Sequence, residues 1–145
     1  MKNEVVKNLE IILANSYALT VKTQNYHWNV AGENFKSLHE MFGAQYEEIF
    51  TALDEIAERI RALGSSVTAS FEHFSKISQF KNGDEKADAK AMLKDLSDDH
   101  KSVVRFINVG IKAAQANGDE GTADMLIGRA KAHEKTILML EASQR

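Results

Sequence analysis

Residues 25 to 64 read NYHWNVAGENFKSLHEMFGAQYEEIFTALDEIAERIRALG and contain a regular pattern of apolar residues. After Asn34, a plausible N-cap, apolar residues recur every three or four positions, which is the period of one helix face. They are Phe35, Leu38, Phe42, Tyr46, Ile49, Leu53, Ile56, Ile60 and Leu63. Gly64 follows the last of them and is a typical helix terminator. The stretch therefore predicts a long amphipathic helix that ends at Gly64.

Three further stripes of the same period predict three more long helices. The first runs from Val5 to Val30, the third from Leu93 to Ala114, and the fourth from Ala123 to Leu140. Between the second and third helices, residues 64–90 are less regular, with a short amphipathic piece at 71–77 and a turn signal at Asn82-Gly83-Asp84. We expect a long crossover that contains a short helix.

These lengths predict one all-α domain over residues 1–145. Helices one and two, like helices three and four, are joined by short loops and should pack antiparallel, whereas the long connection can return the chain along the bundle. The expected architecture is a four-helix bundle of ferritin-like topology, with a short helix in the crossover between helices two and three. A chain of 145 residues with 43% apolar content is long enough to bury a core.

The composition limits the possible chemistry. Without cysteine, neither a disulfide nor a thiolate metal site can form, so any metal ligands must be His, Asp or Glu. The N-terminus lacks a signal-peptide layout, and no apolar run is long enough to span a bilayer, which predicts a cytoplasmic protein without a membrane partner. A net charge of -3 gives no general reason to expect nucleic acid.

Four of the five histidines form two pairs around the predicted hairpins. His27 and His39 straddle the first loop symmetrically, and His100 and His133 straddle the turn at Asn117-Gly118. Each pair could meet across its hairpin, so both are candidate metal ligands. On the second helix, Asp54 and Glu58 are spaced i, i+4, which lets their carboxylates grip one cation.

One chain cannot bring His39 and Asp54 together, because 15 helical residues separate them by roughly 22 Å along the axis. Two copies that pack their second helices antiparallel about a two-fold axis can, because His27 and His39 of one chain then face Asp54 and Glu58 of the other. This arrangement predicts a dimer at minimum. The alternative is a solvated acidic face in which the carboxylates support Arg61.

Residues 25–64 closely resemble the signature of the Dps-type mini-ferritins, and the likeness continues more loosely through GTADML (121–126) and the HEKTILMLEA ending. The resemblance implies a dodecameric shell that oxidises ferrous iron, preferably with hydrogen peroxide, and mineralises it inside as protection against oxidative stress. The implied activity is that of a ferroxidase, with iron as its metal.

The family's iron ligands correspond to His27, His39, Asp54 and Glu58, and Trp28 corresponds to the tryptophan beside the iron. A simpler interpretation of Trp28 is an aromatic anchor in the subunit interface, and the two roles are compatible.

One residue departs from the family pattern. Many relatives place an acid four residues after the second histidine, whereas this chain has Gly43, which leaves open whether a second iron position exists. The resemblance also makes Asp119 and Asp124 candidate acids of a three-fold pore. Their alternative role is a solvated loop with Asp at a helix start.

The remaining histidines are predicted to be structural. No Glu-x-x-His pair accompanies His100 and His133, so we expect core or seam histidines; an additional metal site with Asp99 or Glu134 is the alternative. His73 is expected on the surface of the crossover.

Two other functions remain open. The first is a nucleoid protein that coats DNA, but only Lys2 and Lys7 precede the first apolar stripe and the chain stops at Gln144-Arg145, so no basic tail is available for phosphates. The second is a structural or signalling bundle without catalysis.

Overall fold

The computed structural model describes residues Asn3 to Arg145, which form five helices and no strand. The helices are α1 (Glu4–Asn29), α2 (Phe35–Ala62), α3 (Phe71–Ile77), α4 (Ala89–Ala116) and α5 (Glu120–Ala142). The four predicted long helices and the short helix in the crossover are confirmed.

The helix termini follow local side-chain chemistry, with one correction to the prediction. The Asp88 carboxylate accepts a hydrogen bond from the Ala91 N–H at 2.8 Å and so caps α4. Asn34 does precede α2, but its side chain caps nothing; its backbone lies at φ -104° and ψ 25° rather than in the extended region usual for an N-cap. Gly64 and Gly118 adopt positive φ angles where α2 and α4 end.

The core lies between the four long helices and is made of their apolar stripes. The largest fully buried side chains include Leu9, Leu19, Phe42, Ile56, Met92, Leu96, Ile107 and Leu126. Burial of each such side chain stabilises the fold by about 1.5–3 kcal/mol. Polar contacts fix α1 against α4, because the Lys22 ammonium meets Asp99 at 2.6 Å and the Tyr26 hydroxyl donates to Asp95 at 2.6 Å.

The crossover is anchored along α1. The ring of Phe74 stacks on Tyr17 with 4.4 Å between centroids, and the Gln79 N–H donates to the Asn15 side chain at 2.8 Å. The turn predicted at Asn82-Gly83-Asp84 begins later, at Asp84, whose carbonyl accepts from the Ala87 N–H. Gly83 serves another purpose, since a Cβ there would lie 3.1 Å from both Lys22 and Tyr26.

Within residues 3–145, no helix combines the length and apolar character needed to cross a membrane.

Candidate metal centre

His27 and His39 meet across the first hairpin, as their spacing predicted. His27 lies in the last turn of α1 and His39 in the second turn of α2. Their rings stack with centroids 3.9 Å apart and planes 13° from parallel. The His27 Nδ1 lies 2.6 Å from the His39 carbonyl oxygen, and the His39 Nδ1 lies 2.7 Å from the His27 carbonyl oxygen.

These reciprocal hydrogen bonds fix the tautomer of both rings. A carbonyl oxygen can only accept, so each Nδ1 carries the proton and donates it. With Nδ1 used in this way, Nε2 is the nitrogen left to bind a metal, which is the arrangement that a metal-binding histidine needs. Backbone carbonyls therefore orient both rings for metal binding, and no carboxylate is needed to hold Nδ1.

Aromatic side chains and one glycine enclose this pair. Phe35 stacks on His39 with 5.0 Å between centroids, and Tyr46 approaches His27 edge-on at 5.5 Å. Gly43 faces the His27 ring so closely that an added Cβ would lie 2.9 Å from its Cε1. Trp28, which follows His27, is 65% exposed and so is available to a neighbouring subunit.

Asp54 and Glu58 lie on the exposed surface of α2, about 22 Å and about 28 Å along the helix axis from His39. The two carboxylates are solvated, as the alternative expected, but among residues 3–145 Arg61 donates to the Ser65 carbonyl and forms no ion pair with either of them. Within residues 3–145 of one subunit, no group of three or more His, Asp or Glu side chains could hold a metal ion. Joining the histidines to these carboxylates therefore requires a second copy of the chain.

The two candidate pore acids differ in their surroundings. Asp119 is held by the Arg59 guanidinium at 2.7 Å, and it caps α5 by accepting from the Thr122 N–H. Burial alone would raise the pKa of Asp119, but the Thr122 hydrogen bonds and the Arg59 charge outweigh burial and lower it. Asp124 is exposed and lines a surface groove with Asp54 and Glu58.

His100 and His133 are core histidines, as expected, and each is 1% exposed. Their Nδ1 atoms lie 2.8 Å apart, and Arg129 Nη2 lies 3.2 Å from His133 Nε2. Because arginine only donates, His133 accepts at Nε2 and donates from Nδ1 to His100. The alternative metal site gains no support, since Asp99 pairs with Lys22 and Glu134 is exposed.

Burial dominates the electrostatics of this second pair. It lowers the pKa of His100 to about 3, helped by the nearby Arg129 charge. The pKa of His133 is also lowered, by burial first and then by His100 and Arg129. Both rings are therefore neutral near pH 7.

Sequence reasoning missed how this pair is supported. Arg129 is only 6% exposed, and it forms an ion pair with Glu48 of α2. The available signal was the position of Arg129 four residues before His133, next to Ala130 on the core stripe.

His73 is partly buried on α3, with its ring edge-on to Phe74 at 5.8 Å, so it is less exposed than predicted.

Comparison with known proteins supports the family suggested by the signature. The ferritin-like domain family matches residues 6–144. DNA protection during starvation protein 2 of Bacillus anthracis is 34% identical over 98% of this chain and 97% of its own length. The crystal structure of Dps from Staphylococcus aureus superposes with a TM-score of 0.94 at 31% identity, covering 100% of this chain and 99% of that one. The chain belongs to the Dps-type mini-ferritins.

Another Dps-type structure gives the same result and a third adds chemical information. A Dps protein from Bacillus brevis has a TM-score of 0.95 at 34% identity, with full coverage of both chains. Dps from Vibrio cholerae, at 29% identity and a TM-score of 0.94 over 98% of this chain and 89% of its own, is described as a member of a broad superfamily of ferritin-like diiron-carboxylate proteins. Membership thus places this chain among mini-ferritins that store iron or protect DNA.

Proposed function

We propose that this mini-ferritin oxidises ferrous iron, preferably with hydrogen peroxide, at a site shared by two subunits, and stores the ferric product inside a dodecameric shell. Residues 1–145 would form one ferritin-like domain, and the protein would act in the cytoplasm against oxidative stress. The observation that carries the proposal is the His27–His39 pair, whose Nδ1 atoms are occupied by backbone carbonyls. Two imidazoles with free Nε2 lone pairs are suited to ferrous iron.

The carboxylates would come from the second subunit. In an antiparallel packing of two α2 helices, Asp54 and Glu58 of the partner subunit would face the histidine pair, and symmetry would make two such sites. Their hard oxygens favour ferric iron, whereas imidazole accepts ferrous iron, so a mixed donor set suits an ion that changes oxidation state. Their exposure in a single chain supports this role.

The redox balance needs only the named reactants. Each ferrous ion gives up one electron, and two ferrous ions reduce one hydrogen peroxide molecule, which takes up two protons and leaves as water. Trp28 would lie beside the iron and contribute to the interface. Asp124 and Asp119 would draw cations toward a pore, with Asp124 the stronger of the two because Arg59 already neutralises Asp119.

Stopped-flow oxidation of anaerobically added ferrous iron by hydrogen peroxide tests this function. His39→Ala and Asp54→Asn should each slow oxidation by at least about tenfold, since each removes a proposed ligand. Asp98→Asn is the control, because Asp98 lies on the exposed face of α4 and its ion-pair partner among residues 3–145 is Lys94. All variants must first show the oligomer size of the wild type.

Equal rates in every variant, no faster than iron in buffer, would reject the ferroxidase site. The bundle would then have to be considered a DNA-coating or structural protein.

A further inference from the structure

Gly43 lies on α2 one turn after His39, directly against the ring of His27. A Cβ at this position would lie 2.9 Å from Cε1 of His27 and 3.1 Å from its Nδ1. Carbon atoms that are not bonded do not approach so closely without displacement. The His27 ring therefore fills the space that a side chain at position 43 would need.

The backbone does not explain this glycine. Positive φ angles in the described residues occur only at Gly32, Gly64 and Gly118, so Gly43 has a conformation that alanine adopts readily. Glycine is also among the least favourable residues inside a helix. The remaining reason for glycine at position 43 is the space that it leaves beside His27.

That space gives His27 access to its hydrogen-bond acceptor. In an α-helix, the carbonyl of one residue points toward the residue four positions later. The acceptor for His27 Nδ1 is the carbonyl of His39, and the residue four positions later is Gly43. A side chain at position 43 would stand beside the approach of the ring to that carbonyl.

We infer that Gly43 is a positioning residue of the iron site: its missing side chain lets His27 stack on His39 and bond the His39 carbonyl through Nδ1, which leaves Nε2 for a ligand. The identity of the ion rests on the proposed function, whereas the positioning of the ring does not. An acid at position 43 would displace His27 before it could act as a ligand.

A double-mutant cycle on thermal unfolding tests the positioning without any metal. Gly43→Ala should raise the unfolding temperature in a His27→Ala background, where the ring is gone and alanine is the better helix former. In the wild-type background, the same change should leave the temperature unchanged or lower it. Gly128→Ala is the control, since a Cβ there meets nothing within 4 Å, and it should raise the temperature equally in both backgrounds. An equal rise from Gly43→Ala in both backgrounds would overturn the inference.

Binding of Co²⁺ to the assembled, iron-free protein, measured by calorimetry, provides a second test. Gly43→Ala and Gly43→Asp should each weaken binding at least about tenfold, while Gly128→Ala should not. Unchanged binding in Gly43→Ala, or tighter binding in Gly43→Asp, would overturn the inference. If the wild type itself binds no Co²⁺, the proposed metal site fails, and the unfolding cycle still decides whether Gly43 positions His27.

Discussion

At the scale of single residues, the two histidine pairs use their nitrogens in opposite ways. His27 and His39 donate hydrogen bonds from Nδ1 to backbone carbonyls, which leaves Nε2 available. His100 and His133 bond to each other inside the core, and Arg129 occupies the remaining nitrogen of His133. The first pair is therefore suited to bind a ligand, and the second is suited to hold α4 and α5 together.

The core pair should make the protein sensitive to mild acid. In the folded protein, the pKa values of His100 and His133 lie below the ordinary 6.5, and that of His100 is about 3. Below pH 6.5 the unfolded chain therefore binds more protons at these two histidines than the folded chain does. Their contribution to stability is complete above pH 6.5 and is lost as the pH falls toward 3. Each histidine can cost up to about 1.4 kcal/mol per pH unit in this window.

Urea unfolding at pH 7.5 and pH 5.5, at one protein concentration, measures this effect. The wild type should lose stability at pH 5.5, and a His100→Leu/His133→Leu double variant should lose clearly less. His73→Leu controls for removal of a histidine outside the pair. A double variant with the wild-type pH dependence would contradict the assignment.

At the scale of helices, a side chain caps the N-terminus of α4, whereas no side-chain hydrogen bond caps the N-terminus of α2. The Asp88 carboxylate bonds to the Ala91 N–H, but the Asn34 side chain forms no such bond. Asp88→Ala should therefore lower the free energy of unfolding by about 1 kcal/mol, whereas Asn34→Ala should change it little. Chemical denaturation of the two variants gives the comparison, and similar losses in both would show that the cap at Asp88 is not what stabilises α4.

The helices themselves could be predicted because helix periodicity is a local property of the sequence. The meeting of His27 with His39 also followed, since a short hairpin fixes which residues face each other. The ion pairs Arg59–Asp119 and Arg129–Glu48 could not be predicted, because they depend on how α2 and α5 align along the bundle. The sequence indicates a missing ligand and a slightly weaker helix at position 43, but it cannot show the contact with His27, because nothing in a sequence shows which ring lies against a glycine.

At the scale of the whole molecule, a shared site predicts complementation between defective subunits. When His39→Ala and Asp54→Asn subunits are mixed and reassembled, a mixed two-fold pair has one site that lost both ligands and one that kept both. Random pairing should therefore restore about a quarter of the wild-type sites, although each variant alone has none. Peroxide-driven iron oxidation by the reassembled mixture measures the recovery. No recovery above the separate variants would reject a site that two subunits share.

DNA binding is the other whole-molecule question, because several relatives are named for DNA protection. Lys2 lies outside the described residues, and Lys7 near the start of α1 meets Glu4 at 3.9 Å, which reduces its value for phosphate binding. With a net charge of -3, we expect any DNA shift at low salt to disappear at moderate salt. A mobility-shift titration at both salt concentrations checks this, and a complex that survives moderate salt would favour the DNA-coating function.

The reciprocal bonds between His27 and His39 make the pair a self-contained unit. Both acceptors are main-chain carbonyls of the same helical hairpin, and the two histidines are 12 positions apart. Neither of these two hydrogen bonds needs a side chain from elsewhere in the bundle. The hairpin should therefore be transplantable: grafted onto another pair of antiparallel helices with the same loop, and with glycine four residues after the second histidine, it would present two oriented imidazoles on an unrelated scaffold.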